Sequence, residues 1–176
     1  MRCLQASLRR PVHTARTTHI LDERGYASKP MRSPRVPLHP RHEEAREALM
    51  GLREDQEHTG RPILVEGPRD VTALRALGLT GPIEVVNRGW DVARRIAHLV
   101  ETYGTRGADG GPALHLLMDW DRTGGRLQTT FRRRLEAFDV KVEEETRRVL
   151  MRCLKPETRT VEGLSGLIDV LGLDGR

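Results

Sequence analysis

Aromatic residues are scarce in this chain: two Trp, two Tyr and two Phe among 176 residues. A hydrophobic core must therefore be built from Leu, Val, Ile and Ala. Cysteine is nearly missing as well. Cys3 and Cys153 lie at opposite ends of the sequence, with no Cys-x-x-Cys or His-Cys cluster, which argues against a disulfide framework or a structural zinc site. The seven histidines show no His-x-x-x-His spacing, and His115, inside an apolar run, reads as structural. No apolar run approaches the roughly 18 residues of a membrane span, and no apolar signal-peptide core follows the first basic residues. These absences together predict a soluble protein of the reducing cytoplasm with no membrane partner.

What is abundant is positive charge. Thirty Lys and Arg face twenty-five Asp and Glu, a formal net charge of +5, and such a balance favours polyanionic partners, because basic side chains release counterions when they neutralise phosphates. Residues 1–40 carry many Arg, Thr, Ser, His and Pro, with prolines at 11, 30, 34, 37 and 40 and no sustained periodicity. They read as a disordered basic arm. Met31 begins a plausible shorter product, so the start of translation stands open between Met1 and Met31. A transit peptide is the competing reading of the arm, weakened by Asp22 and Glu23.

Beyond the arm the chain becomes periodic. Ala45, Ala48, Leu49 and Leu52 recur at helical spacing, so residues 41–60 form an amphipathic helix stopped near Gly60. A βα rhythm follows: strands near 62–66, 83–87 and 113–118, helices near 69–78, 90–103 and 124–138, and an edge strand at Asp139–Val142. Short strands alternating with helices predict βαβ crossovers and a mainly parallel sheet, an α/β fold. Leu127, Phe131, Leu135 and Phe138 form the apolar stripe of the last of those helices. Residues 151–176 read as a C-terminal helical extension, in which Val161, Leu164, Leu167, Ile168 and Leu171 suggest an amphipathic helix that covers the sheet or meets a partner.

Two acidic motifs sit at strand ends. The first is Ile63-Leu64-Val65-Glu66-Gly67-Pro68-Arg69-Asp70; the second is Leu114-His115-Leu116-Leu117-Met118-Asp119-Trp120-Asp121-Arg122-Thr123-Gly124. In neighbouring parallel strands, Glu66, Asp119 and Asp121 converge at the carboxyl edge of the sheet, where open α/β sheets place their ligands. Asp119 and Asp121 flank Trp120, so in an extended segment their side chains share one face. Such a carboxylate set suits Mg²⁺, with Mn²⁺ as a substitute, and leaves coordination positions for phosphate oxygens. Blander roles compete: Glu66 or one Asp as a helix cap, Asp70 as a first-turn helix charge, and Arg69, Arg88, Arg122 and Arg126 as solvated surface arginines. Gly67 and Gly124 read as positions of tight turning or close ligand approach, the latter shared with Gly125.

The paired motifs, Glu66-Gly67 with Asp70 and then Asp119-x-Asp121-x-x-Gly124, resemble the Toprim family, the catalytic module of topoisomerases, bacterial-type primases, OLD-type nucleases, recombination mediators and small ribosomal-RNA maturases. The resemblance covers residues 61–150 and looks closest to the small stand-alone Toprim proteins of archaea and bacteria. It implies a Rossmannoid domain with a short sheet between helices. It also implies Mg²⁺-dependent phosphoryl transfer on nucleic acid, with structured RNA favoured over DNA. Glu66, Asp119 and Asp121 would be the catalytic and metal-holding residues, Asp70 an accessory acid, and Arg69, Arg88, Arg122, Arg126, Gly67 and Gly124 the phosphate contacts. A topoisomerase or a whole primase would need further domains that this length does not accommodate. A non-catalytic nucleic-acid-binding or assembly module, and a subunit or homo-oligomer within a larger complex, are the alternatives.

Overall fold

The structure is a computed structural model describing residues 37–86 and 89–173. The expected basic arm falls almost entirely outside the described residues. Helix α1 spans Pro40–Thr59; Pro40 takes the first-turn position where a missing N–H costs nothing, and the ring of His39 accepts the Arg41 amide. Gly60, at φ 67°, closes the helix by donating to the Gln56 carbonyl, a left-handed cap that suits glycine. The rest follows the βα rhythm: β1 Ile63–Val65, α2 Pro68–Ala76, β2 Ile83–Val85, α3 Val92–Tyr103, β3 Leu114–Leu116, α4 Arg122–Glu136, β4 Val142–Glu143, α5 Glu145–Leu154, and a 3₁₀ helix at Glu162–Leu167.

The four strands lie in the order β2-β1-β3-β4 and every neighbouring pair is parallel. The β1 strand shows why both faces are covered. Ile63 and Val65 join the apolar cluster formed by α1, α2, α5 and the C-terminal segment, whereas Leu64 joins the cluster formed by α3 and α4. All three are fully buried, as the near-continuous apolar run of a doubly covered parallel strand requires. The chain moves outward from β1 to β2 on one side of the sheet, then crosses back over β1 to β3. Strand order therefore reverses between β1 and β3, whose carboxyl ends carry the two acidic motifs.

Several expectations need correction. The edge strand lies at Val142–Glu143 rather than at 139–142, because Asp139 turns through φ 58° and Val140 drops into the core. Helix α4 starts two residues early, with Asp121 as its cap, and ends at Glu136. Phe138, expected on its apolar stripe, lies beyond the last turn and is 61% exposed. The C-terminal segment is a 3₁₀ helix followed by turns rather than an α-helix; the 3₁₀ helix packs on α2, and Val161, Leu164 and Leu171 are fully buried in the apolar cluster. Its apolar face thus covers the core. The boundary expected at 150 falls inside α5.

His115 has the structural role expected of it. The ring is buried, with Nε2 2.6 Å from Asp55 and Nδ1 2.7 Å from Glu143. Arg61 grips the same Asp55 through both carboxylate oxygens. This ionic network ties α1 to β3 and β4 at the amino end of the sheet, opposite the acidic motifs. Among the described residues no helix is long and apolar enough to cross a membrane.

Candidate functional site

Glu66 leaves β1 at the point where the chain enters α2, and its Oε1 accepts the backbone N–H of Asp119 at 3.1 Å. Asp119 leaves β3 one strand away. Its Oδ1 accepts the amide of Val161 at 2.7 Å, so the second motif is also held by the C-terminal segment. Trp120 turns the other way into the core, donating from Nε1 to the Thr158 carbonyl and from its amide to the Arg159 carbonyl. Asp121 caps α4 by accepting the Gly124 amide at 2.7 Å. The helix-capping role is thus real for Asp121, yet it occupies only one carboxylate oxygen.

Gly124 is held by space rather than by backbone angle. A Cβ there would lie 2.2 Å from the Asp119 carbonyl oxygen and 2.6 Å from Glu66 Oε1, so the first turn of α4 rests directly on both motifs. Gly67 is different: it sits in extended backbone, and a hypothetical Cβ would meet only Asp70 Oδ2 at 4.0 Å, an ordinary contact, so no steric demand for glycine exists there. Asp70 is 6% exposed and accepts the Gly67 amide at 2.9 Å. It is a first-turn cap of α2, while its charge still reaches Glu66 and Asp119.

The electrostatics are those of crowded, half-buried carboxylates. Burial, then the charge of Asp119, with smaller contributions from Asp70 and Asp121, pushes Glu66 up to about 7, against the opposing hydrogen bond from the Asp119 amide. Burial also raises Asp119 to about 6, aided by Asp70, Asp121 and Glu162 and opposed by the Val161 amide. Asp70 is raised by burial and by Glu162, against several backbone donors. A carboxyl group near 7 is suited to holding and releasing a proton at neutral pH.

Sequence reasoning missed two participants. Glu162, in the first turn of the 3₁₀ helix, adds its charge to Asp119 and Asp70 and pairs at 3.7 Å with the otherwise exposed Arg69. Arg147 of α5 lies beneath the second motif, donating from Nε to the Met118 carbonyl at 2.8 Å and from Nη2 to the Asp119 carbonyl at 2.7 Å. Burial lowers its pKa against the attraction of Glu144, Glu66 and Asp119. Arg122 and Arg126 are exposed on α4 with no side-chain partner among the described residues. Arg88 lies outside the described residues.

The donor chemistry fits a hard divalent cation: oxygen ligands only, in mutual repulsion that a cation would relieve. A closed chelate is not preassembled, since among the described residues no group of three or more His, Cys, Asp or Glu side chains stands in metal-holding geometry. One oxygen each of Glu66, Asp119 and Asp121 is already engaged by a backbone amide.

No family model matches the chain. A solved structure of a protein from Aquifex aeolicus shares the α/β architecture, with a TM-score of 0.52 at 22% identity over 66% of this chain and 94% of that one. Among curated proteins, a UPF0292 protein of Thermococcus onnurineus is 35% identical over 105 residues, 60% of this chain and 71% of the relative. One from Methanosarcina barkeri is 32% identical over 126 residues, 69% of this chain and 80% of the relative. With a parallel sheet, a switch point between β1 and β3, and relatives matched over most of their own length, the chain belongs to the UPF0292 family.

Proposed function

We propose that the protein carries out Mg²⁺-dependent phosphoryl transfer on nucleic acid, as a nuclease acting on structured RNA. The observation that carries this reading is the convergence of Glu66, Asp119 and Asp121 at the switch point of the sheet, with burial and mutual repulsion raising Glu66 to about 7. Asp119 and Asp121 would hold the cation, with Glu66 completing the set. Mn²⁺ has the same preference for oxygen and would substitute. Such a cation, when bound, supplies Lewis-acid polarisation of the scissile phosphate.

The chain's own groups have separable tasks. Glu66 holds or moves a proton at Oε2, the oxygen not engaged by the Asp119 amide. Arg122 and Arg126, exposed on α4 directly after the second motif, steady phosphates. Gly124 keeps α4 close to both motifs. The Toprim resemblance agrees with this division, and the preference for RNA rests on analogy with the ribosomal-RNA maturases of that family.

The test is cleavage of end-labelled structured RNA, single-stranded RNA and duplex DNA with Mg²⁺, Mn²⁺ or EDTA, beside an Asp119→Asn/Asp121→Asn variant. Asn caps helices as well as Asp does, so α4 keeps its start while the charges disappear. Metal-dependent cleavage lost in the variant is the expected result; unchanged cleavage in the variant rejects the assignment.

One observation favours a second reading, a non-catalytic nucleic-acid-binding module. Each candidate ligand already gives one oxygen to a backbone amide, and no three-ligand group is preassembled among the described residues. Binding without cleavage under every metal condition would select it.

A further inference from the structure

Among the described residues outside α4, most arginines pair with a neighbouring carboxylate, although Arg75, Arg94, Arg147 and Arg159 do not. Arg41 pairs with Glu157, Arg53 with Glu57, Arg106 with Asp139, Arg148 with Glu144 and Glu145, and Arg152 with Glu44. Helix α4 breaks the pattern. It holds five arginines and one glutamate. Arg132 pairs with that Glu136 and with Glu144, whereas Arg122, Arg126, Arg133 and Arg134 are exposed and have no side-chain hydrogen bond or ion pair among the described residues.

Their placement is ordered. At 100° per residue, Arg122, Arg126, Thr129 and Arg133 share one narrow stripe, opposite the buried Phe131 and Leu135. With a rise of 1.5 Å per residue, the three arginines of the stripe are separated by about 6 Å and about 10 Å along the axis. The row begins at the residue after Asp121. Arg122 also occupies the first turn of the helix, which contains no acidic residue, although the positive end of the helix dipole disfavours a cation there. Local stability therefore gives no reason for Arg122, whereas Arg133, in the last turn, is favoured by the negative end of the dipole; an external polyanion accounts for the whole row.

We propose that the solvent face of α4, through Arg122, Arg126 and Arg133, is a track for the phosphate backbone of one nucleic-acid strand, delivering it to the acidic edge at Glu66, Asp119 and Asp121. The track rests on the nucleic-acid reading of the site and extends it, by assigning Arg133 and by fixing the direction in which the strand runs from the carboxylates. A backbone carries recurring charges along its length, so an ordered row of cations fits it better than it fits a single anion. Recognition on this face is of phosphates, without base contacts, and so independent of sequence.

The experiment measures binding of the full chain to a labelled RNA hairpin and to single-stranded RNA across a salt series in EDTA, with metal-dependent cleavage of the same probes assayed separately. Removing one arginine–phosphate pairing reduces the slope of log K against log salt by about 0.7 on a single strand and about 0.9 on a duplex. Arg126→Gln/Arg133→Gln is expected to flatten the slope by about 1.4 to 1.8 on that basis, with an unchanged circular dichroism spectrum. Arg126→Lys/Arg133→Lys is expected to keep the slope, and Arg132→Gln, whose side chain is engaged by carboxylates, to leave it unchanged. An unaltered slope in Arg126→Gln/Arg133→Gln overturns the track, even if Asp119→Asn/Asp121→Asn abolishes cleavage. A flattened slope in a protein that never cleaves supports the track and rejects the catalytic reading. No binding by the wild-type chain overturns both.

Discussion

The carboxylate of Glu66 accepts the backbone amide of Asp119 at 3.1 Å across 53 residues of sequence. The two acidic motifs are thereby joined by more than proximity: one motif's side chain fixes the backbone of the other. Because the bond uses Oε1, the second oxygen of Glu66 keeps its capacity to accept.

The contact of Gly124 with both motifs predicts a contrast with its neighbour. Gly124→Ala introduces a methyl 2.2 Å from the Asp119 carbonyl and should destabilise the fold by about 1–3 kcal/mol, as overpacking does, with loss of the cleavage proposed for the site. Gly125→Ala, with nothing within 4 Å, should raise stability by up to about 1 kcal/mol, the difference in helix propensity. Urea denaturation of the two variants checks this, and equal effects would contradict the packing.

Stability of the metal-free protein should fall as pH rises from about 4.5 to 8. Glu66 moves from 4.5 to about 7 and Asp119 from 3.8 to about 6 on folding, so the folded state binds more protons than the unfolded one. Their contribution is complete below the unfolded values and is lost as pH climbs through the folded ones. Both groups are half-exposed, so solvent screening limits the effect to a modest fall in Tm. Glu66→Gln/Asp119→Asn should flatten that part of the profile; a slope unchanged in the variant would refute the assignment. Glu143 acts in the opposite sense: although burial raises it, His115 holds it below the usual range, so its contribution is lost on acidification.

Arg147 should behave as a positioning residue. Arg147→Met removes charged donors from the Met118 and Asp119 carbonyls and should cost about 2–4 kcal/mol, the scale of losing charge-assisted hydrogen bonds to buried acceptors. Arg148→Ala, an exposed neighbour, should change stability by no more than about 0.5 kcal/mol. Chemical denaturation separates them, and divalent-metal affinity measured by calorimetry should fall for Arg147→Met alone.

Replacing His115 probes the far edge. His115→Leu leaves Glu143 without its ring partner and Asp55 with only Arg61, and should destabilise by about 1–3 kcal/mol, the scale of leaving a hydrogen-bonding group unsatisfied. The acidic edge should keep its metal response, read as the metal-induced rise in Tm, because the network lies at the opposite end of β3.

The sequence revealed what depends on short range. Glu66, Asp119 and Asp121 stood out because each follows an apolar strand and the pairing of those strands is set by the βα rhythm. The switch point between β1 and β3 followed from that order. Glu162 and Arg147 did not stand out, because their roles exist only after α5 and the C-terminal segment dock, and no local spacing records docking. The 3₁₀ segment misled for a similar reason. Its apolar spacing resembles an α-helix, yet a Cβ at Gly163 would lie 2.0 Å from Thr158 Oγ1, so the chain turns tightly there. Phe138 misled because a periodic stripe does not say where its helix stops.

The hydrogen bond from the Val161 amide to Asp119 also sets an order of events during synthesis. Strands β1 and β3 leave the ribosome well before residues 158–161, which hold both Asp119 and Trp120 in place. The emerging chain therefore carries its acidic residues with the second motif still unbraced. Its brace is translated 42 residues after Asp119, so a nascent chain stalled between the two would display the carboxylates without the geometry that makes them a site.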